Sequence, residues 1–240
     1  MGGHRRGMTW IAAGLGVDVT TVGLIGSGRI GSTVARLAIE AGYDVVLSNS
    51  RGPETLRDLV DSLGPRATAA TSAQAGAAGD LVVVTIPVRA YPLVPAGPLA
   101  GKIVLDTGNY YPQRDGDLPE LDDKSLTSSE YLGRLLDGAE VVKVFNNIFF
   151  KHLQNLARPA GATDRSALPI AGDGAGAKEV VTGFLDAIGY DTADDGPLAE
   201  GWRQEPGTPA YGTPYGSFDN EKGTPAGTDV IRAAIAAATR

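Results

Sequence analysis

From residue 20 onward, short runs rich in β-branched residues alternate with stretches whose apolar positions recur every three or four residues. That alternation predicts strands separated by helices, and hence a largely parallel sheet covered on both faces. The predicted strands are 21–25, 44–48, 81–86, 102–106, 141–145 and 168–171. The run Leu81-Val82-Val83-Val84-Thr85-Ile86 is apolar on both of its faces, which places it in the middle of the sheet. Between the first two strands, Ile30, Val34, Leu37, Ala38 and Ala41 fall at helical spacing, and Gly42 supplies a residue able to end that helix in a left-handed turn. A later helix over 175–188 carries Val180, Val181, Phe184 and Leu185 as its apolar stripe.

The C-terminal sixth changes character. Residues 201–227 are dominated by Gly, Pro, Thr and aromatics, and Gly207-Thr208-Pro209-Ala210-Tyr211 is partly echoed by Gly212-Thr213-Pro214-Tyr215-Gly216. Neither period fits, so this is a long loop, and Trp202, Tyr211, Tyr215 and Phe218 favour an ordered one. A last helix opens at Thr228 as N-cap, with Ile231, Ala234, Ile235 and Ala238 on one face. The pattern therefore predicts an α/β, Rossmann-type, doubly wound and mostly parallel sheet with a small C-terminal α+β and loop extension. Residues 1–19 form an extra arm, with Met8 a second candidate initiator. Residues 20–160 form the nucleotide-binding domain, and 161–240 a smaller portion that completes the acceptor pocket and a dimer contact.

Composition removes several function classes. A net charge of -7, with 21 Lys and Arg scattered along the chain, offers no positive field to nucleic acid or anionic lipid. The absence of cysteine removes thiolate catalysis, disulfides and cysteine-held metals, and two histidines, His4 and His152, do not make a multi-histidine metal site. No apolar run approaches the ~20 residues that cross a bilayer, and the N-terminus lacks a signal-peptide pattern, so a soluble cytoplasmic protein is expected.

The chemistry begins directly after the first strand. Gly26-Ser27-Gly28-Arg29-Ile30-Gly31 matches GxGxxG between a strand and a helix. Gly26 serves the tight turn, Gly28 a close approach to pyrophosphate, and Gly31 the packing of helix on strand, while the helix N-terminus offers N–H groups to the phosphates. An NAD site places a carboxylate at the tip of the second strand, but here the tip reads Ser48-Asn49-Ser50-Arg51. A hydroxyl and a guanidinium suit the 2′-phosphate of NADP instead. The tips Thr85-Ile86-Pro87 and Asp106-Thr107-Gly108-Asn109 end neighbouring strands, where a doubly wound sheet holds the ribose and nicotinamide.

These residues resemble a known family. The run Thr21 to Gly28, the Asn49-Ser50-Arg51 tip, Thr85-Ile86-Pro87, Val142-Lys143-Val144-Phe145-Asn146-Asn147 and the Ala171-Gly172-Asp173 turn are similar to the F420-dependent NADP oxidoreductases, over roughly residues 20–198. That resemblance implies hydride exchange between NADPH and the deazaflavin coenzyme F420 in a homodimer. By position it assigns Ser27 to Ile30, Ser50 and Arg51 to NADP, and Pro87, Asn109, Phe145, Asn146 and Asn147 to the border of the redox centre. No residue is assigned as catalytic, because hydride exchange between two bound rings requires orientation and exclusion of water more than acid–base help. Two features depart from the family pattern: the N-terminal arm, and a longer, more aromatic loop over 202–216. The residues also leave open an NADP-dependent reductase of a flavin, an imine or a carbonyl compound, with Tyr211 or His152 as proton donor, and a non-catalytic NADP sensor. His152, beside Phe149, Phe150 and Leu153, is expected to be a helix-surface or packing residue.

Overall fold

The computed structural model describes residues 19–240; the predicted N-terminal arm, except Val19, and Met8 lie outside the described residues. Eight strands form one sheet: β1 Thr21–Ile25, β2 Asp44–Ser48, β3 Ala67–Ala69, β4 Leu81–Val84, β5 Ile103–Asp106, β6 Glu140–Lys143, β7 Ala167–Gly172 and β8 Asp191–Asp194. Their order is β3-β2-β1-β4-β5-β6-β7-β8. The first six run parallel; β7 is antiparallel to β6 and β8 is parallel to β7. The helices are α1 Arg29–Glu40, α2 Arg57–Leu63, α3 Ser72–Ala78, α4 Pro112–Asp115, α5 Pro119–Asp122, α6 Ser128–Leu135, α7 Phe150–Asn155, α8 Ala175–Ala187 and α9 Thr228–Ala236.

Alternation along the inner strands loads both faces of the sheet. In β4, Leu81 and Val83 join the core under α1, α7 and α8, whereas Val82 and Val84 join a second core with Val104, Leu132 and Leu136. All four residues of β4 are fully buried, as its uninterrupted apolar run requires. The chain order reverses between β1 and β4, so the carboxyl ends of these two strands open a crevice at the point where such sheets bind ligands.

Several boundaries differ from the sequence pattern. The fourth strand stops at Val84, leaving Thr85 to Pro87 as a turn, and the sixth stops at Lys143, leaving Val144 to Asn147 outside the ladder. Two strands carried no legible signal: β3 has three residues, and β8, Asp-Thr-Ala-Asp, is a polar edge. The last helix is capped by Gly227, with Thr228 its first helical residue and no side-chain cap. The aromatic loop is ordered by burial: Ala210 and Tyr215 are fully buried, and the Tyr215 hydroxyl donates to the Ala167 carbonyl at 2.8 Å. Among the described residues no helix is long and apolar enough to cross a membrane, and no group of three or more acidic or histidine side chains is placed to hold a metal ion.

Candidate nucleotide and hydride-transfer site

The turn after β1 is held from two sides. The Gly26 N–H donates to the Ser48 carbonyl at 3.1 Å, which joins the tips of β1 and β2. Gly26 has φ +109°, and a Cβ there would run into the Thr85 carbonyl oxygen; a Cβ at Gly31 would meet the Gly26 carbonyl and the Thr85 methyl. A Cβ at Gly28 would meet nothing within 4 Å. Gly28 caps α1 without a side-chain hydrogen bond, so the free N–H groups of the first turn face that open space. An uncapped helix start with room in front of it is what a pyrophosphate needs.

At the β2 tip, Asn49 Oδ1 accepts the Arg51 N–H at 2.9 Å and Asn49 Nδ2 donates to Thr55 at 2.9 Å, which fixes the turn. Ser48 is buried, its hydroxyl donating to the Leu24 carbonyl at 2.8 Å, so the hydroxyl left for a ligand is that of Ser50. The Arg51 side chain is exposed and has no ion-pair partner among the described residues. Asp44, at the far end of β2, pairs with Arg66 at 3.1 Å and takes no part.

Beyond the glycine turn lies a cleft of about 600 Å³. It gathers Gly28, Arg29, Ile30, Thr85, Ile86 and Pro87. Asn109, Phe145, Asn146 and Asn147 line it too. Gly26, Ser27 and Gly31 lie behind this lining, and Asn49, Ser50 and Arg51 stand outside it at the neighbouring strand tip, where the adenosine end of a dinucleotide would extend. Tyr211 and Phe218 of the aromatic loop also line the cleft, as does a set the sequence reading gave no site role, Tyr111, Phe149 and Phe150, and the Arg29 guanidinium sits 5.2 Å over the Phe150 ring. The adjacent pair Phe149-Phe150, a few residues after the β6 strand, was the available signal.

The chain after β6 is shaped for this cleft. Phe145 is fully buried with φ +65°, a conformation that costs a non-glycine residue about 1–2 kcal/mol. It turns the backbone so that Asn146 reaches the β5 tip: Asn146 Nδ2 donates to Asn109 Oδ1 at 3.0 Å, and Asn109 Nδ2 donates to the Asn146 carbonyl at 2.8 Å. Asn146 Nδ2 also reaches the Gln204 carbonyl at 2.8 Å, and Asn147 Nδ2 the Ala210 carbonyl at 2.9 Å. The aromatic loop is thereby tied to the strand tips.

Behind the cleft floor lies Lys143, fully buried, which the sequence reading left without a role. Its ammonium donates to the Gly108 carbonyl at 3.0 Å, Ser128 at 2.8 Å and Ser129 at 3.1 Å, and pairs with Glu205 at 3.1 Å. Ser128 donates in turn to Glu205 and Ser129 to the buried Asp106, each at 2.6 Å. Asp106 also accepts from Tyr91 at 2.6 Å and from the Gly108 N–H at 3.0 Å. Burial alone would raise the Glu205 pKa, but the Lys143 charge and the Ser128 hydrogen bond outweigh it and hold the carboxyl below its usual value. A lone charge in the strand run Val141 to Phe145 was the signal that a buried partner had to exist.

His152 is a packing residue. It is fully buried, its Nε2 sits 2.7 Å from the Asn220 carbonyl, and it lies edge-on to Phe149 at 5.3 Å between ring centres. It does not line the cleft, which removes it as a proton donor there.

With this geometry in hand, comparison with known proteins is informative: the family of coenzyme F420-dependent NADP oxidoreductases matches residues 21–110. The match covers well under half of the chain. A candidate F420-dependent NADP-reductase from Arthrobacter sp. FB24 is 25% identical, with a TM-score of 0.63 over 75% of this chain and 86% of that one. The hypothetical protein SMa0349 of Sinorhizobium meliloti is 29% identical, with a TM-score of 0.69 over 80% and 93% of the two chains. The Escherichia coli K12 protein YjhV is 40% identical over 53 residues, 22% of this chain and 39% of that protein, so the match spans well under half of this curated relative. The matched segment covers β1 to the β5 tip and carries the glycine turn, Arg51, Pro87 and Asn109. The wall contributed by Phe149, Tyr211 and Phe218 lies outside it.

Proposed function

We propose that the protein binds NADP(H) along the β1 and β2 tips and exchanges a hydride with the deazaflavin coenzyme F420 held in the aromatic cleft. The observation that carries this reading is the join between an uncapped glycine turn and a cleft walled by Phe149, Phe150, Phe218, Tyr111 and Tyr211, since flat aromatic side chains suit a planar ring system. When bound, NADPH supplies a hydride from its nicotinamide ring. Gly26 to Gly31 hold the pyrophosphate, Ser50 and Arg51 the 2′-phosphate, and Thr85 to Pro87 with Asn109 border the ring. Asn146 and Asn147 fasten the aromatic loop over it, which excludes water and fixes the approach of the second ring.

Arg51→Ala is expected to weaken NADPH binding about 10-fold while leaving NADH nearly unchanged, because only the 2′-phosphate loses a charge-assisted contact. Fluorescence titration with both nucleotides checks it, and equal losses contradict the assignment. Anaerobic mixing with NADPH and oxidised F420 tests the acceptor. Bleaching of the deazaflavin that Arg51→Ala suppresses supports the reading; NADPH binding without bleaching refutes F420 and leaves the nucleotide site standing.

A further inference from the structure

The acceptor side of the cleft holds a pair of phenols that stand 100 positions apart in the chain. The Tyr111 and Tyr211 hydroxyls lie 2.8 Å apart, both rings half-buried and both lining the cleft. Neither is placed by accident of a loose loop. The neighbours of Tyr211 on each side are held by Asn147, whose Nδ2 donates to the Ala210 carbonyl at 2.9 Å and whose carbonyl accepts the Gly212 N–H at 2.8 Å. The Tyr111 N–H donates to Asp115 at 3.0 Å, Asp115 holds Arg114 at 2.7 Å, and the Arg114 guanidinium lies 4.9 Å over the Tyr111 ring. A hydroxyl pair in contact, with a cation over one ring, is a short route for a proton.

We propose that this pair delivers the proton that accompanies hydride transfer, with Tyr211 donating to the acceptor and Tyr111 resupplying Tyr211. This rests on the reading of the cleft as a hydride-transfer site. The acceptor gains a hydride at carbon; its double bond opens toward the conjugated heteroatom, which takes the Tyr211 proton; Tyr211 takes the proton of Tyr111; and Tyr111 is reprotonated from water. NADPH supplies both electrons and leaves as NADP. The acceptor class that needs such a pair is a C=N or C=O group, alone or conjugated through a planar ring, whose reduction would otherwise leave negative charge on nitrogen or oxygen. Burial and then the hydrogen bond with Tyr211 raise the Tyr111 phenol well above its ordinary value, so Tyr111 holds its proton at neutral pH, while the Arg114 charge opposes that rise and favours the transient phenolate.

The test uses Tyr211→Phe and Tyr111→Phe in the full chain, in two measurements. First, alkaline spectrophotometric titration of the protein without nucleotide should show one phenol ionising at lower pH in Tyr211→Phe than in the parent; an unchanged titration overturns the pairing. Second, anaerobic single turnovers with NADPH are run on oxidised F420 and, separately, on a cyclic imine, in water and in deuterium oxide. On whichever acceptor the parent reduces, Tyr211→Phe is expected to be slower by about 100-fold with its solvent isotope effect lost, and Tyr111→Phe slower by a smaller factor. NADPH affinity by fluorescence stays within about 2-fold of the parent, since neither tyrosine belongs to the glycine turn or the β2 tip to which the phosphates are assigned. Tyr211→Phe reacting at the parent rate with the parent's solvent isotope effect overturns the proposal while sparing the hydride-transfer reading. A parent that binds NADPH yet reduces neither acceptor overturns both.

Discussion

Replacing Lys143 by Met is expected to lower the stability of the folded protein by about 3–5 kcal/mol, because it strands the charge of Glu205 against the cleft floor and strips Ser128, Ser129 and the Gly108 carbonyl of their donor. For a chain of this length that corresponds to a fall in Tm of roughly 10 °C, measurable by calorimetry. The cost has a pH signature. Glu205 titrates below its usual value in the folded protein, so its contribution is present above the unfolded carboxyl pKa and disappears as pH falls through the folded one. The penalty of Lys143→Met should therefore be largest at neutral pH and shrink in acid, as the stranded carboxyl is neutralised. Adding Glu205→Gln to Lys143→Met should recover part of the loss, since the uncompensated charge goes with its partner. A change in Tm of under ~1 °C, or a loss independent of pH, would show that the network does not hold the floor together.

The glycine turn gives a second large effect, and two neighbouring glycines should separate binding from stability. Gly26→Ala places a Cβ against the Thr85 carbonyl in a backbone conformation that L-residues disfavour, at φ +109°. It is expected to cost about 1–3 kcal/mol of stability and to weaken NADPH binding by about 100-fold as the turn moves. Gly28 has φ -72°, an extended conformation open to any residue, and its Cβ would meet nothing. Gly28→Ala should leave stability within about 1 kcal/mol of the parent, since the unfolded-state gain of Ala is offset by its poor fit at an N-cap, while still weakening NADPH about 10-fold or more, because the methyl group occupies the space proposed for the pyrophosphate. Thermal unfolding together with nucleotide titration reads both. NADPH bound by Gly28→Ala as tightly as by the parent would mean that the space in front of α1 is not the phosphate site.

The β1–α1–β2 unit was legible because three signals agree there: an alternating strand, Gly26, Gly28 and Gly31 at the spacing of a tight turn, and a helix with apolar residues at 30, 34, 37 and 38. The central strand was legible because Leu81 to Val84 are buried on both faces. β3 was not, because three residues are too few to set a period, and β8 was not, because an edge strand of Asp-Thr-Ala-Asp tolerates polar residues a central strand excludes. The reversal of β7 against β6 depends on how residues 148–166 return across the sheet, which no local pattern encodes.

The site divides in the same way. The proposed nucleotide half rests on short motifs at successive strand tips, whereas the proposed acceptor half is assembled from residues 100 positions apart, as in the contact of Tyr111 with Tyr211. Lys143 shows why such contacts stay hidden. The residue was visible as a charge inside an apolar strand, but its partners, Ser128 at 2.8 Å and Glu205 at 3.1 Å, come from a helix start and a loop that share no pattern with β6. His152 is the converse case: Phe149, Phe150 and Leu153 around it in sequence pointed to packing, and its burial against Phe149 and the Asn220 carbonyl makes it packing, which leaves Tyr211 of the two alternative donors.

The most direct test of hydride transfer in this cleft follows a label. NADPH carrying deuterium at the transferring nicotinamide position is mixed anaerobically with oxidised F420 and the protein in ordinary water, and the reduced deazaflavin is analysed by mass spectrometry. Deuterium retained on the acceptor carbon is the predicted result, because the two rings meet with water excluded. Reduced product carrying only solvent hydrogen, or no reduced product although NADPH is bound, would contradict the account.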